Sequence, residues 1–104
     1  MQPIVVLITC AKQEEAENIA SALLENKLAA CVNVLDKVNS FFWWEGKIDQ
    51  AKEILLVAKS KKSKLTKITK LVKSLHSYQV PEIIALPIIG GDKNYLKWIN
   101  ESLR

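Results

Sequence analysis

The hydrophobic positions near the start of the chain change from a strand pattern to a helix pattern. Residues 4–9 form a continuous apolar run, IVVLIT, which predicts a strand covered on both sides or central in a sheet. From Gln13 the apolar residues recur at intervals of three and four, and acidic residues occupy the first turns, where the helix dipole favours negative charge. This pattern predicts a helix that ends near Asn26 or Lys27, with the apolar spacing formed by Ala16, Ile19, Ala20, Leu23 and Leu24.

A long hairpin is expected next. Cys31–Trp44 is rich in β-branched and aromatic residues, and its length for a single strand predicts a bulge at residues 36–39. Residues 45–47 contain a glycine suited to a positive φ angle and predict a turn. Residues 48–59 then predict the returning strand, which ends in the apolar sequence ILLVA.

The second half of the chain predicts a helix, a strand and a final helix. Leu65, Ile68, Leu71, Val72 and Leu75 form one apolar stripe, with Ser60 or Ser63 as the expected N-cap and His76 at the far end. Residues 83–89 predict a last strand, and the proline within it indicates an edge position or a bulge. Tyr95, Trp98 and Ile99 have helical spacing near the end of the chain.

This order of elements predicts an α+β fold, a ferredoxin-like βαββαβ sandwich with an extra short C-terminal helix. The chain has 104 residues, which suits a single domain over residues 1–104. Its apolar runs are too short to span a bilayer, and its first residues lack the features of a signal peptide. We therefore expect a cytoplasmic protein without a membrane partner.

The positive charge is concentrated in one segment. The net charge is +4, yet seven lysines lie between residues 59 and 73, so the basic character is one local face. RNA-recognition domains of this fold need exposed aromatic residues on the central strands, which IVVLIT and ILLVA lack. Acylphosphatase-type chemistry needs an arginine to hold phosphate, and the only arginine is Arg104. We expect neither a nucleic-acid partner nor this activity.

The predicted strand directions bring Cys10, His76 and Glu82 to one end of the sheet. Cys31 is the first residue of the second predicted strand and therefore lies at the opposite end of the sheet from Cys10. This separation argues against a disulfide between the two cysteines. A thiolate, an imidazole and a carboxylate suit copper, zinc or another thiophilic divalent ion. Two alternatives stay open: His76 complements the helix C-terminus while Cys10 is a small buried hydrophobe, or Cys10 is a nucleophile with His76 as its base.

The aromatic residues of the hairpin suggest an assembly. Residues 41–44, FFWW, are consecutive in a strand and must point to both faces of the sheet, whereas a two-layer domain covers one face with helices. We therefore expect packing between subunits, with the interface at Phe42, Trp43, Trp44 and Trp98. The alternative is that the terminal helix, with Trp98, folds over the hairpin.

Several motifs together resemble the CutA family of divalent-cation tolerance proteins over nearly the whole chain. They are ITC before the first helix, LAACVN, FFWWEGKI, Lys59 after the third strand, HSYQVPE and YLKWI. The resemblance implies a homotrimer related in shape to the PII signalling proteins and a link to copper and other divalent metals. It also implies a metal site at Cys10, His76 and Glu82. The HPYE-like motif is HSYQ here, so Gln79 replaces a carboxylate with a neutral amide.

The sequence thus predicts a homotrimer that binds a divalent metal, with copper the first choice and zinc the second. We expect a role in metal-ion tolerance or response, no catalytic activity and no organic cofactor. The alternative function is a PII-like trimeric sensor or scaffold that binds a small molecule or a partner protein in clefts between subunits.

Overall fold

The computed structural model describes residues 1–104, and its elements follow the predicted order. A 3₁₀ turn at Lys62–Lys64 precedes the second helix. None of the helices combines the length and apolar composition needed to cross a membrane. The strands and helices are β1 (Pro3–Cys10), α1 (Gln13–Glu25), β2 (Cys31–Trp44), β3 (Lys47–Lys61), α2 (Leu65–Leu75), β4 (Ile83–Pro87) and α3 (Lys93–Ser102).

The four strands form one sheet in the order β2-β3-β1-β4, and all neighbouring strands are antiparallel. In the middle of the sheet, Val6 of β1 pairs with Ala58 of β3 on one side and with Ala85 of β4 on the other. The edge position predicted for β4 is confirmed. The strand ends at Pro87 rather than at residue 89. The Ile88 N–H still donates to the Pro3 carbonyl over 3.0 Å, but Pro3 has no N–H to return the bond to Ile88.

The hairpin of β2 and β3 extends well beyond the rest of the sheet. Its register shifts between Leu35 and Val38, where Lys37 has a φ angle of 61°, so the predicted bulge is confirmed. The turn has positive φ angles at Glu45 (51°) and Gly46 (78°), as a two-residue hairpin turn requires.

The hydrophobic core lies between the sheet and the two longer helices. Ile8 of β1 pairs with Leu56 of β3, and both side chains are fully buried. Ile19 and Leu23 of α1 and Ile68 of α2 cover them and are also fully buried. The apolar stripes read from the sequence therefore form the helix side of the core, except for Leu24 and Leu75, which are exposed.

The other face of the sheet, here called the open face, is only partly covered. Val32 packs in the core, so the preceding Cys31 points to the open face, where Tyr95 of α3 contacts it. Lys61 donates a hydrogen bond to Asn100 of α3 over 3.2 Å. Helix α3 thus packs at the end of the sheet away from the hairpin turn. The alternative in which it folds over the hairpin is wrong.

The predicted N-cap of α2 is also wrong. The Ser60 hydroxyl is buried and donates to the Leu28 carbonyl over 2.6 Å, so it ties β3 to the segment before β2. Ser63 lies inside the 3₁₀ turn, and α2 begins at Leu65 without a side-chain cap. The 3₁₀ turn accounts for the difference, because it separates both serines from the first turn of α2.

Candidate functional site

His76 follows the last turn of α2, and its imidazole is completely buried. Its Nε2 lies 2.7 Å from the Thr9 carbonyl oxygen, and its Nδ1 accepts the Tyr78 backbone N–H over 3.0 Å. A carbonyl only accepts hydrogen bonds, so Nε2 carries the proton and donates it to Thr9. Both ring nitrogens are therefore occupied, and neither offers a lone pair to a metal ion.

The loop after His76 is held by a carboxylate from α1. The Ser77 backbone N–H donates to Glu15 Oε1, and the Ser77 hydroxyl lies 3.1 Å from Glu15 Oε2. A proline at position 77 would lack this N–H, so the residue that departs from the family motif makes its own contact with α1. The sequence analysis did not identify Glu15 as part of the site, because its partner lies far away along the chain.

Cys10 ends β1, and its side chain is fully buried. Burial, together with the nearby carboxylates of Glu15 and Glu53, raises the pKa of the Cys10 thiol to about 12. In the metal-free chain the group is a protonated thiol at neutral pH, so it is not an activated nucleophile, and ligation would require a metal ion to displace its proton. The geometry matches the alternative in which Cys10 is a small buried hydrophobe.

Glu82 directly precedes β4 at the same end of the sheet, and burial and the nearby Glu53 raise the pKa of its carboxyl group. Glu53 itself is only 7% exposed, and its Oε2 accepts the Tyr78 hydroxyl over 2.7 Å. Burial and this hydrogen bond strongly raise the pKa of Tyr78. The sequence analysis missed Glu53, although a single acidic residue at the start of the ILLVA run was an available signal.

The predicted metal ligands thus lie at one end of the sheet without forming a ligand set. The chain contains no group of three His, Cys, Asp or Glu side chains placed to hold a metal ion. The buried thiol of Cys10 and the fully bonded ring of His76 do not fit a copper or zinc site. A metal at these positions would need both groups to leave their present contacts.

A cleft of about 900 Å³ opens beside these residues, between the loop at residues 77–82 and the hairpin, which lines it from Glu53 out to Trp44 near the tip. A volume of this size suits a small organic molecule. Its lining combines carboxylates with aromatic rings: Glu53, Tyr78 and Glu82 lie on one side, and Phe42 and Trp44 lie on the hairpin.

Native Cys10 is expected to resist alkylation. In a Cys31→Ser variant at pH 8, iodoacetamide should label Cys10 about a hundredfold more slowly in native protein than in urea, because the thiol is buried and protonated. Mass spectrometry of samples taken over time measures both rates. Equal rates in native and unfolded protein would show that the thiol is accessible and ionised.

The comparisons with known sequences agree on one family. A family model described as CutA1 divalent ion tolerance protein matches residues 4–102. A relative from Archaeoglobus fulgidus, described as a divalent-cation tolerance protein CutA, is 48% identical over 98 residues, or 94% of this chain and 95% of that protein. Protein CutA 1, chloroplastic, from Oryza sativa subsp. japonica is 45% identical over 101 residues, or 97% of this chain. This chain spans 57% of the length of that rice protein.

Solved structures show the same relationship. A structure described as the periplasmic divalent cation tolerance protein CutA from Archaeoglobus fulgidus has a TM-score of 0.94 at 46% identity, covering 98% of this chain and 99% of that one. The structure of CutA1 from Oryza sativa has a TM-score of 0.96 at 43% identity, covering 100% of this chain and 95% of that one. The chain therefore belongs to the CutA1 divalent ion tolerance protein family.

Proposed function

We propose that this chain functions as a homotrimer whose subunits pack through the open face and the hairpin. The support is an apolar surface that α3 leaves uncovered. Strand alternation places five large apolar side chains on the open face, each between 37% and 50% exposed: Leu35, Phe42, Trp44, Ile84 and Leu86. Large apolar side chains exposed on one face of a sheet are typical of an interface, and identical chains cover such faces in closed rings.

Within that assembly, we propose that the chain is a non-catalytic sensor or scaffold for the response to divalent cations. The names of its relatives support the link to divalent-cation tolerance. The observation that carries the sensor role is the cleft beside the hairpin, which is lined by the carboxylates of Glu53 and Glu82 and by aromatic rings of the hairpin. A neighbouring subunit packed on the hairpin would enclose a ligand bound there.

Direct binding of copper or zinc at Cys10, His76 and Glu82 is the second candidate. The family names and the position of all three residues at one end of the sheet favour it. It requires the Cys10 thiol to ionise and the His76 ring to release Thr9 or Tyr78. Because of these two requirements, we rank direct metal binding second and the binding of a ligand in the cleft first.

A metal titration separates the two candidates. Calorimetry with Cu²⁺ and with Zn²⁺ should give the same affinity for wild-type protein and for Cys10→Ala, since the buried thiol does not contact the ion. The Cys31→Ala variant controls for the loss of a cysteine elsewhere. A loss of about tenfold or more in Cys10→Ala alone would establish the thiolate as a ligand and favour direct metal binding.

A further inference from the structure

Residues 54–81 contain seven lysines and no aspartate or glutamate. Two of these lysines have polar partners, since Lys59 and Lys61 donate to the side-chain oxygens of Asn33 and Asn100. The other five form neither an ion pair nor a side-chain hydrogen bond within the protein, whose lysine ion pair lies in α3. These five, here called the lysine face, are Lys62, Lys64, Lys67, Lys70 and Lys73.

The lysine face covers the solvent side of α2 and the turn before it. Ile68 and Val72 point into the core, and the exposed residues of the helix are Thr66, Lys67, Lys70, Lys73, Ser74 and Leu75. The helix contributes no carboxylate to this side, and no carboxylate of the neighbouring α1 lies within ion-pair distance of it. The positive charges therefore add to one another, and the helix layer keeps them exposed when the open face is covered.

Part of this charge lies where it does not stabilise the helix. Lys62, Lys64 and Lys67 lie before or within the first turn of α2, which has no acidic residue, whereas α1 begins with Glu14 and Glu15. The helix dipole favours negative charge at this end and disfavours lysine. A bound anion would be attracted by the lysines and by the dipole together, so the arrangement favours an anionic partner from outside the chain.

The composition of this segment distinguishes between kinds of polyanion. Residues 59–75 contain no aromatic side chain on which bases could stack and no arginine for bidentate contacts, so they offer a nucleic acid nothing beyond charge. A helix that anchors in a membrane surface buries an apolar side in the lipid, whereas Ile68 and Val72 are buried in the core. Recognition by charge alone favours the polyanion that carries the most charge along its length.

We propose that the lysine face binds inorganic polyphosphate. This polymer carries negative charge on every phosphate, has no base or sugar, and bends freely along a curved surface. Lysine binds phosphate as a point charge, and Lys67, Lys70 and Lys73 follow one another over about 9 Å of the helix, so one stretch of polymer can contact all three. The inference stands beside the proposed function, because it needs neither the cleft nor the trimer.

Calorimetric titration with long-chain sodium polyphosphate tests the proposal. Wild-type protein should bind, and raising the salt concentration from about 50 mM to about 200 mM should weaken binding about tenfold or more, because binding releases cations from the polymer. The triple variant Lys67→Gln/Lys70→Gln/Lys73→Gln, in which glutamine matches the helix propensity of lysine, should bind about tenfold more weakly or not at all. Replacing the same three lysines with arginine keeps the charge and should keep the affinity.

The matched control is Lys12→Gln/Lys52→Gln/Lys93→Gln, which removes the same charge from exposed positions outside the lysine face. Its affinity should stay within about threefold of wild type. Equal losses in the two glutamine variants, a loss in the arginine variant, or no binding of polyphosphate in low salt would each overturn the proposal. Circular dichroism shows that each variant is folded.

Two further ligands test the identity of the polyanion. Oligothymidylate with the same number of phosphates and vesicles that contain phosphatidylserine should both bind more weakly than polyphosphate, because each carries less charge along the lysine face. Equal or tighter binding of oligothymidylate would assign the lysine face to nucleic acid, and the same result with the vesicles would assign it to a lipid surface. Either result would overturn polyphosphate as the partner.

Discussion

Replacing Trp44 with alanine is expected to weaken the assembly more than any exposed substitution on the helix side of the domain. Trp44 lies on the open face near the tip of the hairpin and is 43% exposed in the single chain. In an interface its ring would be desolvated, so its removal should lower stability by about 2 kcal/mol or more. Thermal unfolding at several protein concentrations measures the effect, and dissociation should appear as a larger dependence of the melting temperature on concentration.

Leu24→Ala is the matched control for Trp44→Ala. Leu24 lies on α1, outside the open face, and is also 43% exposed. Its truncation should cost less than about 1 kcal/mol and leave the solution mass unchanged. Similar melting curves for the two variants would show that Trp44 is an ordinary exposed side chain and that the hairpin tip is outside the interface.

Replacing His76 with alanine is expected to destabilise the metal-free protein by about 2–4 kcal/mol. The substitution empties a buried position, leaves the Thr9 carbonyl without its donor and leaves the Tyr78 N–H without its acceptor. Urea unfolding in the presence of a chelator at one fixed protein concentration measures this loss. A residue kept only as a metal ligand would produce no such loss in chelated protein.

Ser74→Ala is a suitable control for His76→Ala, because Ser74 is exposed in the last turns of α2 and donates only to the Leu71 carbonyl. Its effect on the urea midpoint should be small. An unchanged midpoint in His76→Ala would contradict the structural role of the imidazole and reopen its assignment as a ligand.

Much of the fold could be predicted because it depends on local patterns. The stripe of α1 indicates one buried face, and the continuous apolar run of β1 indicates a central strand, which the sheet order confirms. The positive φ angles of the hairpin turn fit Gly46. The bulge near Lys37 followed from strand length. The missed cap of α2 had a different cause, since a buried long-range hydrogen bond from Ser60 to Leu28 outweighed its local capping preference.

The site could be predicted only in outline. Strand directions correctly placed Cys10, His76 and Glu82 at one end, but they carry no information about which side chains are buried or already hydrogen-bonded. The contact between Tyr78 and Glu53 joins residues 25 positions apart and depends on the register after the bulge. For that reason the sequence favoured a metal ligand set, and the cleft with its paired carboxylates emerged only from the structure.

The lysines between residues 59 and 73 have two different surroundings in the structure. They lie mainly on the exposed side of α2, whose buried residues are Ile68 and Val72. Lys59 and Lys61, at the end of β3, instead contact Asn33 and Asn100. The positive charge is therefore divided between a solvated helix face and contacts that hold β2 and α3 to β3.

The central claim is that copies of this chain cover the open face of the sheet. The most direct test is the mass of the untagged wild-type protein by light scattering coupled to size-exclusion chromatography, measured over a range of concentrations. The account predicts a mass about three times the 11.7 kDa of one chain. A mass near 11.7 kDa at every concentration would contradict it.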